Sequence, residues 1–195
     1  MKNKPIILAG PSAAGKSTVA RIISQMTGYK IYSIRNHYNS YLIPRFLEAR
    51  GLSNENMTKE LHYKAADWVY EKDRAAYAKM FINDLFPPEE SIFESFRLRG
   101  DLEYLHNKYP SALFIHVYAE KEIRLSRKLK IQDPLYSTAK SLQKIEQLLT
   151  YEWEHFKLQD SMNYLSQIGA VMLDTSSLEA DDLSLEKRLS SIMSS

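Results

Sequence analysis

The run Gly10-Pro11-Ser12-Ala13-Ala14-Gly15-Lys16-Ser17 fits G-x-x-x-x-G-K-[S/T] at every fixed position. The glycines allow the backbone to curl around an anion, so that its N–H groups, including those of Ser12, Ala13 and Ala14, point inward. Lys16 is placed to meet the β- and γ-phosphates of a nucleoside triphosphate. The Ser17 hydroxyl is placed to hold Mg²⁺. Thr18 reads as a helix residue with incidental phosphate contact.

Three further groups could do chemistry with a bound triphosphate. Glu94 closes the apolar run Ser91-Ile-Phe-Glu94-Ser95-Phe96 and is followed by Arg97 and Arg99. A carboxylate there suits Mg²⁺, its water shell or general-base work. Arginine suits phosphate because its planar fork donates two parallel hydrogen bonds. Arg35 and Asn36 follow another short run, Tyr29 to Ile34. Arg124 and Arg127, three apart, share one face of a basic helical segment that continues through Lys128 towards Asp133-Pro134. A basic helix leading into a loop has the form of a lid closing over transferring phosphates.

The elements that must position these groups alternate. Apolar runs at Pro5 to Ala9, Tyr29 to Ile34, Ser91 to Phe96, Ala112 to Ala119 and Ala170 to Asp174 read as strands. Val19, Ile22, Ile23 and Met26 mark one face of a helix that Gly28 ends. Residues 36 to 50 have a helical pattern with a kink or break at Pro44. Thr58 to Phe86 reads as one long helix stopped by Pro87-Pro88. Further helices are expected over 100–109, 120–130, 142–158 and 177–192. Such alternation implies an α/β chain with a parallel sheet covered on both faces. Ligands then gather at the carboxyl ends of the strands.

The 195 residues suit one domain, 1–195, with an acceptor-binding helical region about 35–88 and a lid region about 124–158. The formal net charge of +2 gives no argument for nucleic acid or an anionic membrane as a partner. The absence of cysteine excludes disulfides and thiolate zinc sites. The five histidines lack metal-ligand spacing. No run approaches the length of a membrane span, and the first strand begins without a signal-peptide pattern, so the expected location is cytoplasmic.

Taken together, the layout resembles the nucleoside monophosphate kinase group of P-loop proteins. It looks closest to the dephospho-CoA kinase-like and adenylate-kinase-related branch. That branch has Ser-Met-Gly-Asp after strand two, where this chain has Ser33-Ile34-Arg35-Asn36. It has Asp-Gly-x-Arg at strand three, here Glu94-Ser95-Phe96-Arg97, and Arg-x-x-Arg before Asp-Pro, here Arg124, Arg127 and Asp133-Pro134. The resemblance implies a three-layer P-loop NTPase fold, a five-stranded parallel sheet of order 2-3-1-4-5 and a helical lid. It implies ATP and Mg²⁺ as cofactors and transfer of the γ-phosphoryl group to a small-molecule acceptor. Lys16, Glu94, Arg124 and Arg127 would be catalytic, Ser17 and Glu94 would hold the metal, and Arg35, Asn36, Arg97 and Arg99 would bind the acceptor. A nucleoside or deoxynucleoside monophosphate is the first expectation for that acceptor. The alternatives are a hydroxyl acceptor, such as that of dephospho-CoA, and a nucleotide-binding regulator with weak catalysis. Three departures stand out. Asn36 and Glu94 each stand where that branch has aspartate, and Thr150, Tyr151, Glu152 and Trp153 occupy the place of a lid arginine.

Overall fold

The computed structural model describes residues 4–52, 58–71, 73–130, 142–177 and 183–194. Its centre is β1 (Ile6–Ala9), buried along its whole length. The other strands are β2 (Lys30–Ser33), β3 (Ser91–Phe96), β4 (Leu113–Tyr118) and β5 (Val171–Asp174). They form one five-stranded parallel sheet of order β2-β3-β1-β4-β5, the order expected from the sequence. Along β1, Ile7 and Ala9 enter one apolar cluster with Phe81, Phe93, Phe96 and Leu102. Ile6 and Leu8 enter the opposite cluster with Val19, Ile23, Val117 and Leu189. Both faces are therefore covered, which explains why β1 and β4 read as continuous apolar runs.

Helix α1 (Lys16–Thr27) begins directly at the phosphate-cradling loop and ends at Gly28, whose left-handed backbone lets its N–H reach Ser24 O at 2.8 Å. Between β2 and β3 the chain is helical: α2 (Ile34–His37), a π-helical turn (Tyr38–Leu42), α3 (Ile43–Ala49), α4 (Lys59–Tyr70) and α5 (Ala76–Leu85). Of the kink or break expected at Pro44, the chain shows no break but a change of helix type, from the π-helical turn to α3, just before it. Pro44 falls in the first turn of α3, where its missing N–H costs nothing, because the widened turn ends just ahead of it.

The single helix expected over Thr58 to Phe86 is two. Thr58 caps α4 by accepting from Leu61 N–H at 3.1 Å. The chain then turns at Asp73, which accepts from Ala75 N–H through Oδ1 at 2.9 Å and from Ala76 N–H through its carbonyl at 3.0 Å. The Arg74 carbonyl oxygen sits only 2.4 Å from where a Cβ on Gly100 would be. The turn is thus pressed against the start of α6 (Arg99–Lys108). Apolar periodicity continues in phase across this break, so it cannot reveal it.

After β4 come α7 (Lys121–Lys130), α8 (Leu142–His155), α9 (Leu158–Gln167) and, past β5, α10 (Leu183–Ser194). The helix expected over 142–158 stops at His155. Lys157 takes a left-handed conformation, φ 46°, and α9 sets off from it. Asp133-Pro134 lies outside the described residues.

Candidate active site

The carboxyl ends of β1, β2 and β3 open into one cleft of about 1170 Å³. One end is lined by the loop Ser12 to Thr18 with Arg127, Lys128 and Thr175. The other is lined by tyrosines of the helical region after β2 and by Asp101 of the first helix after β3. A cleft above the usual range of about 300–1,000 Å³ for one small ligand has room for two.

The loop has the backbone of a phosphate cradle. Gly10 has φ +136°, and a Cβ there would meet Val117 O at 2.1 Å; Gly15 has φ +90°. Both positions therefore require glycine. Ala13 also takes positive φ, and Ala14 is fully buried beneath the loop. Lys16 Nζ folds back to donate to Gly10 O at 2.9 Å and Pro11 O at 2.6 Å. Burial, and next the charge of Arg97, hold its pKa well below the usual lysine value; Lys128 and Arg124 push the same way. Arg97, Lys128 and Arg124 thus act on Lys16 with like charge, and Glu94 opposes them. Such a concentration of positive potential fits a polyphosphate.

Ser17 Oγ donates to Glu94 Oε1, and Ser95 Oγ donates to the same oxygen at 3.3 Å. Glu94 is aimed there by a bulge. The β1–β3 register runs from Leu8 opposite Glu94 to Ala9 opposite Phe96, skipping Ser95, whose φ is 84°. A non-glycine residue in that conformation costs on the order of 1 kcal/mol or more. The branch named above carries glycine at the matching place. A hydroxyl and a carboxylate side by side are hard oxygen ligands that suit Mg²⁺, which takes few protein ligands and keeps several waters.

Arg97 lines the cleft and is ion-paired with Glu152 of α8, which is almost completely buried. Glu152 stands where a lid arginine is absent, and its carboxylate arrives opposite the strand-three arginine. The same helix docks on α4. His155 Nε2 lies 2.7 Å from Asp67 Oδ1, and the Tyr151 ring lies 4.9 Å from that of Tyr63. Arg35 and Asn36 sit exposed at the cleft rim, both lining it.

The remaining expected arginines are placed differently. Arg99 is exposed, pairs with Glu103 one turn on at 2.7 Å, and does not line the cleft. Helix α6 starts at Arg99 and turns its side chain towards Tyr164 instead. Arg124 is buried; its Nε donates to Ala119 O at 3.2 Å and its guanidinium lies 5.7 Å from the Trp153 ring centre. It does not line the cleft either. Arg127 lines the cleft beside the loop, donating to Ala13 O at 3.3 Å, Thr175 Oγ1 at 3.0 Å and Thr175 O at 2.6 Å. Thr175 in turn lies 2.8 Å from Ala14 O.

Two site residues escape the sequence reading. Lys128 is 6 % exposed, lines the cleft, and is close enough to act on the Lys16 charge. Its spacing of four from Arg124 places it on one helix face, but only the docking of α7 turns that face inward. Thr175, the first residue past β5, braces the loop and carries no motif.

Asp101 is the buried acid of the other end, 1 % exposed. Tyr70 Oη donates to its Oδ2, and Ala78 N–H donates to its Oδ1 at 2.9 Å. The second bond caps the first turn of α5 from a different helix. Burial outweighs these bonds and raises the Asp101 pKa to about 7. A carboxyl whose folded pKa is raised binds protons more tightly in the folded chain. Stability is therefore lost as pH rises from the unfolded value near 4 towards about 7. In Asp101→Asn this loss should be absent, a difference on the order of a few kcal/mol between the two proteins' pH profiles. Chemical denaturation from pH 4 to 8 measures it, and parallel profiles would count against the raised pKa.

No family model and no curated protein matches the sequence. Solved structures do resemble it. Shikimate kinase from Acinetobacter baumannii, in complex with shikimate, superposes with TM-score 0.53 at 19% identity, covering 99% of this chain and 94% of its own. Shikimate kinase from Bacteroides thetaiotaomicron gives TM-score 0.54 at 12% identity, covering 98% and 99%. A gluconokinase from Sinorhizobium meliloti 1021 gives TM-score 0.53 at 15% identity, covering 98% and 96%. The chain therefore has the three-layer P-loop kinase fold over nearly its whole length. Among the described residues no helix is long and apolar enough to cross a membrane.

Proposed function

We propose that the protein is an ATP-dependent small-molecule kinase that transfers a γ-phosphoryl group, with a nucleoside or deoxynucleoside monophosphate as acceptor. The observation that carries this reading is the convergence of Lys16, Arg97, Lys128 and the Ser17–Glu94 pair at the boundary between the two ends of one cleft. Phosphoryl transfer asks little covalent chemistry of the protein. It asks for alignment of donor and acceptor, and for cations where charge spreads in the transition state. The cradle at Gly10 to Thr18 would hold the triphosphate. Ser17 and Glu94 would hold Mg²⁺, which when bound neutralises charge on the β- and γ-oxygens. Lys16 would leave the loop carbonyls for those phosphates, and Lys128 would face the group in transfer. Arg127, tied to Ala13 and Thr175, would keep the nucleotide end of the cradle in shape. Arg35 and Arg97 would meet an acceptor phosphate. Asn36 cannot take a proton from a hydroxyl, and a phosphate acceptor needs no base.

One observation favours a second reading. Glu152 already neutralises Arg97, so the acceptor end carries less positive potential than its arginines suggest. A hydroxyl acceptor, with Glu94 as base, suits that balance better. Coupled ADP release with common ribo- and deoxyribonucleoside monophosphates, run beside dephospho-CoA, shikimate and gluconate, separates the two. Turnover of monophosphates alone is expected. Turnover of an alcohol with none on any monophosphate would overturn the first reading, and no turnover at all would favour a nucleotide-binding regulator.

A further inference from the structure

Helix α8 carries a buried stripe in which one member is out of character. Ile145, Leu149 and Glu152 are its buried residues, spaced by four and by three, so they share one face. A carboxylate stands where the spacing calls for a third apolar side chain. Burying it is costly unless a partner of opposite charge meets it. That partner is Arg97, the first residue after β3.

The helix that carries Glu152 is braced on both sides of this pair. Against α7, Ile145 and Leu149 pack with Leu125, Glu146 Oε1 lies 2.7 Å from Lys121 Nζ, and the Arg124 guanidinium lies over the Trp153 ring. Against α4, His155 and Tyr151 meet Asp67 and Tyr63, and the Phe156 ring, just past the helix, lies 5.6 Å from that of Tyr63. Glu152 is thus fixed from two directions where it meets Arg97.

Two placements show which side of Arg97 the acid takes. Arg97 lines the cleft and its side chain is 23 % exposed; Glu152 does not line the cleft and its side chain is 1 % exposed. The acid therefore lies behind the guanidinium, away from the ligand space. Arg97 also borders a small void with Gly10 and Pro11, whose carbonyls accept from Lys16 Nζ. It stands beside the start of the phosphate cradle, where a donor and an acceptor would meet. A guanidinium presents its N–H groups in a rigid planar fork. An acid that grips it from behind sets the plane of the whole fork.

We infer that Glu152 is a positioning residue: from α8, braced between α7 and α4, it orients the Arg97 guanidinium to receive the acceptor's phosphate. The inference rests on the monophosphate reading above and adds to it a residue that never touches the substrate. Glu152 takes up part of the Arg97 charge while fixing its direction, so Arg97 works through aimed donors. Paired parallel bonds to phosphate depend on that aim. Small misplacements of a binding group are felt steeply in rate.

The test is steady-state kinetics, with melting temperature, of Glu152→Gln and Glu152→Met in the full chain. The substrates are ATP and the common nucleoside monophosphate that the unaltered protein turns over fastest. Methionine completes the apolar stripe but cannot hold Arg97; glutamine keeps the shape and one acceptor oxygen. kcat/KM for the monophosphate should fall about tenfold or more in Glu152→Met and by less in Glu152→Gln, while KM for ATP changes by less than about threefold. His155→Ala, which removes a partly exposed contact of α8 with α4, should raise the monophosphate KM about twofold. Unchanged monophosphate kinetics in both Glu152 variants, with only the melting temperature moved, overturns the inference, since Glu152 would then be a stabilising partner alone. A lowered monophosphate KM in Glu152→Gln also overturns it, because the acid would then compete with the acceptor for Arg97. In either case the monophosphate reading stands. Should neither Glu152 variant fold, an unchanged monophosphate KM in His155→Ala overturns the inference. No turnover of any monophosphate by the unaltered protein removes that reading itself, and the inference with it.

Discussion

Lys16→Ala is expected to abolish detectable phosphoryl transfer while leaving the protein folded. Lys16 is the one loop side chain that can carry charge to the β- and γ-phosphates, and its ammonium is held at the cradle by two carbonyls of the same loop. Removing it takes away charge stabilisation of the transferring group, for which position alone does not compensate. The fold should survive because Nζ serves no apolar core contact. Its pKa is already held down by burial and by neighbouring cations, so deleting the charge relieves crowding around Arg97, Lys128 and Arg124. Melting temperature should therefore hold or rise, while ATP turnover with any accepted substrate disappears. Near-normal transfer by Lys16→Ala would falsify the assignment of this loop as the catalytic cradle.

Lys128→Met is expected to lower kcat on the order of 10²-fold to 10³-fold, with KM for ATP changed far less. A preorganised cation or donor that acts on charge developing in the transition state is worth about that much. An interaction made chiefly in the transition state is lost from kcat. Methionine keeps most of the apolar stem of a side chain that is almost wholly buried. Arg127→Ala should behave differently. The sequence placed Arg127 with the transferring phosphates, but its guanidinium is committed to Ala13 O and to Thr175. Its loss should loosen the nucleotide end and raise KM for ATP more than it lowers kcat. Steady-state kinetics of the two variants tells the roles apart. A kcat loss below about threefold in Lys128→Met would return Lys128 to the class of weakly contributing charges.

The contacts of α8 also bear on the proposed acceptor site. Glu152 meets Arg97, His155 meets Asp67, and Tyr151 meets Tyr63, so α8 touches both α4 and the strand-three arginine. An acceptor phosphate competing for Arg97 would have to displace or share the Glu152 carboxylate. That competition is where the monophosphate and hydroxyl readings divide most sharply, because only the former needs Arg97 for itself.

The local code determined what could be read from neighbouring residues alone. Gly10 to Ser17 specifies a phosphate cradle because the glycine backbone, the lysine and the hydroxyl lie within eight consecutive positions. The alternation of apolar runs with helical periodicities determined the parallel sheet, since a strand covered on both faces has to be apolar throughout. The resemblance then supplied the strand order that the sheet adopts. What depended on distant partners was decided only by the tertiary structure. The break between α4 and α5 follows from the close approach of Arg74 to Gly100, which no periodicity in 58–86 records. Four arginines met four environments: Arg97 an acid from α8, Arg99 its own helix, Arg124 a carbonyl and Trp153, Arg127 the loop carbonyl of Ala13 and Thr175. Lys128 faces inward because α7 docks with that side down, and Asp101 reaches the cleft because α6 packs on α5. A charged side chain reads the same in sequence whether it faces water or a buried partner; which it faces is set by packing between elements far apart in the chain.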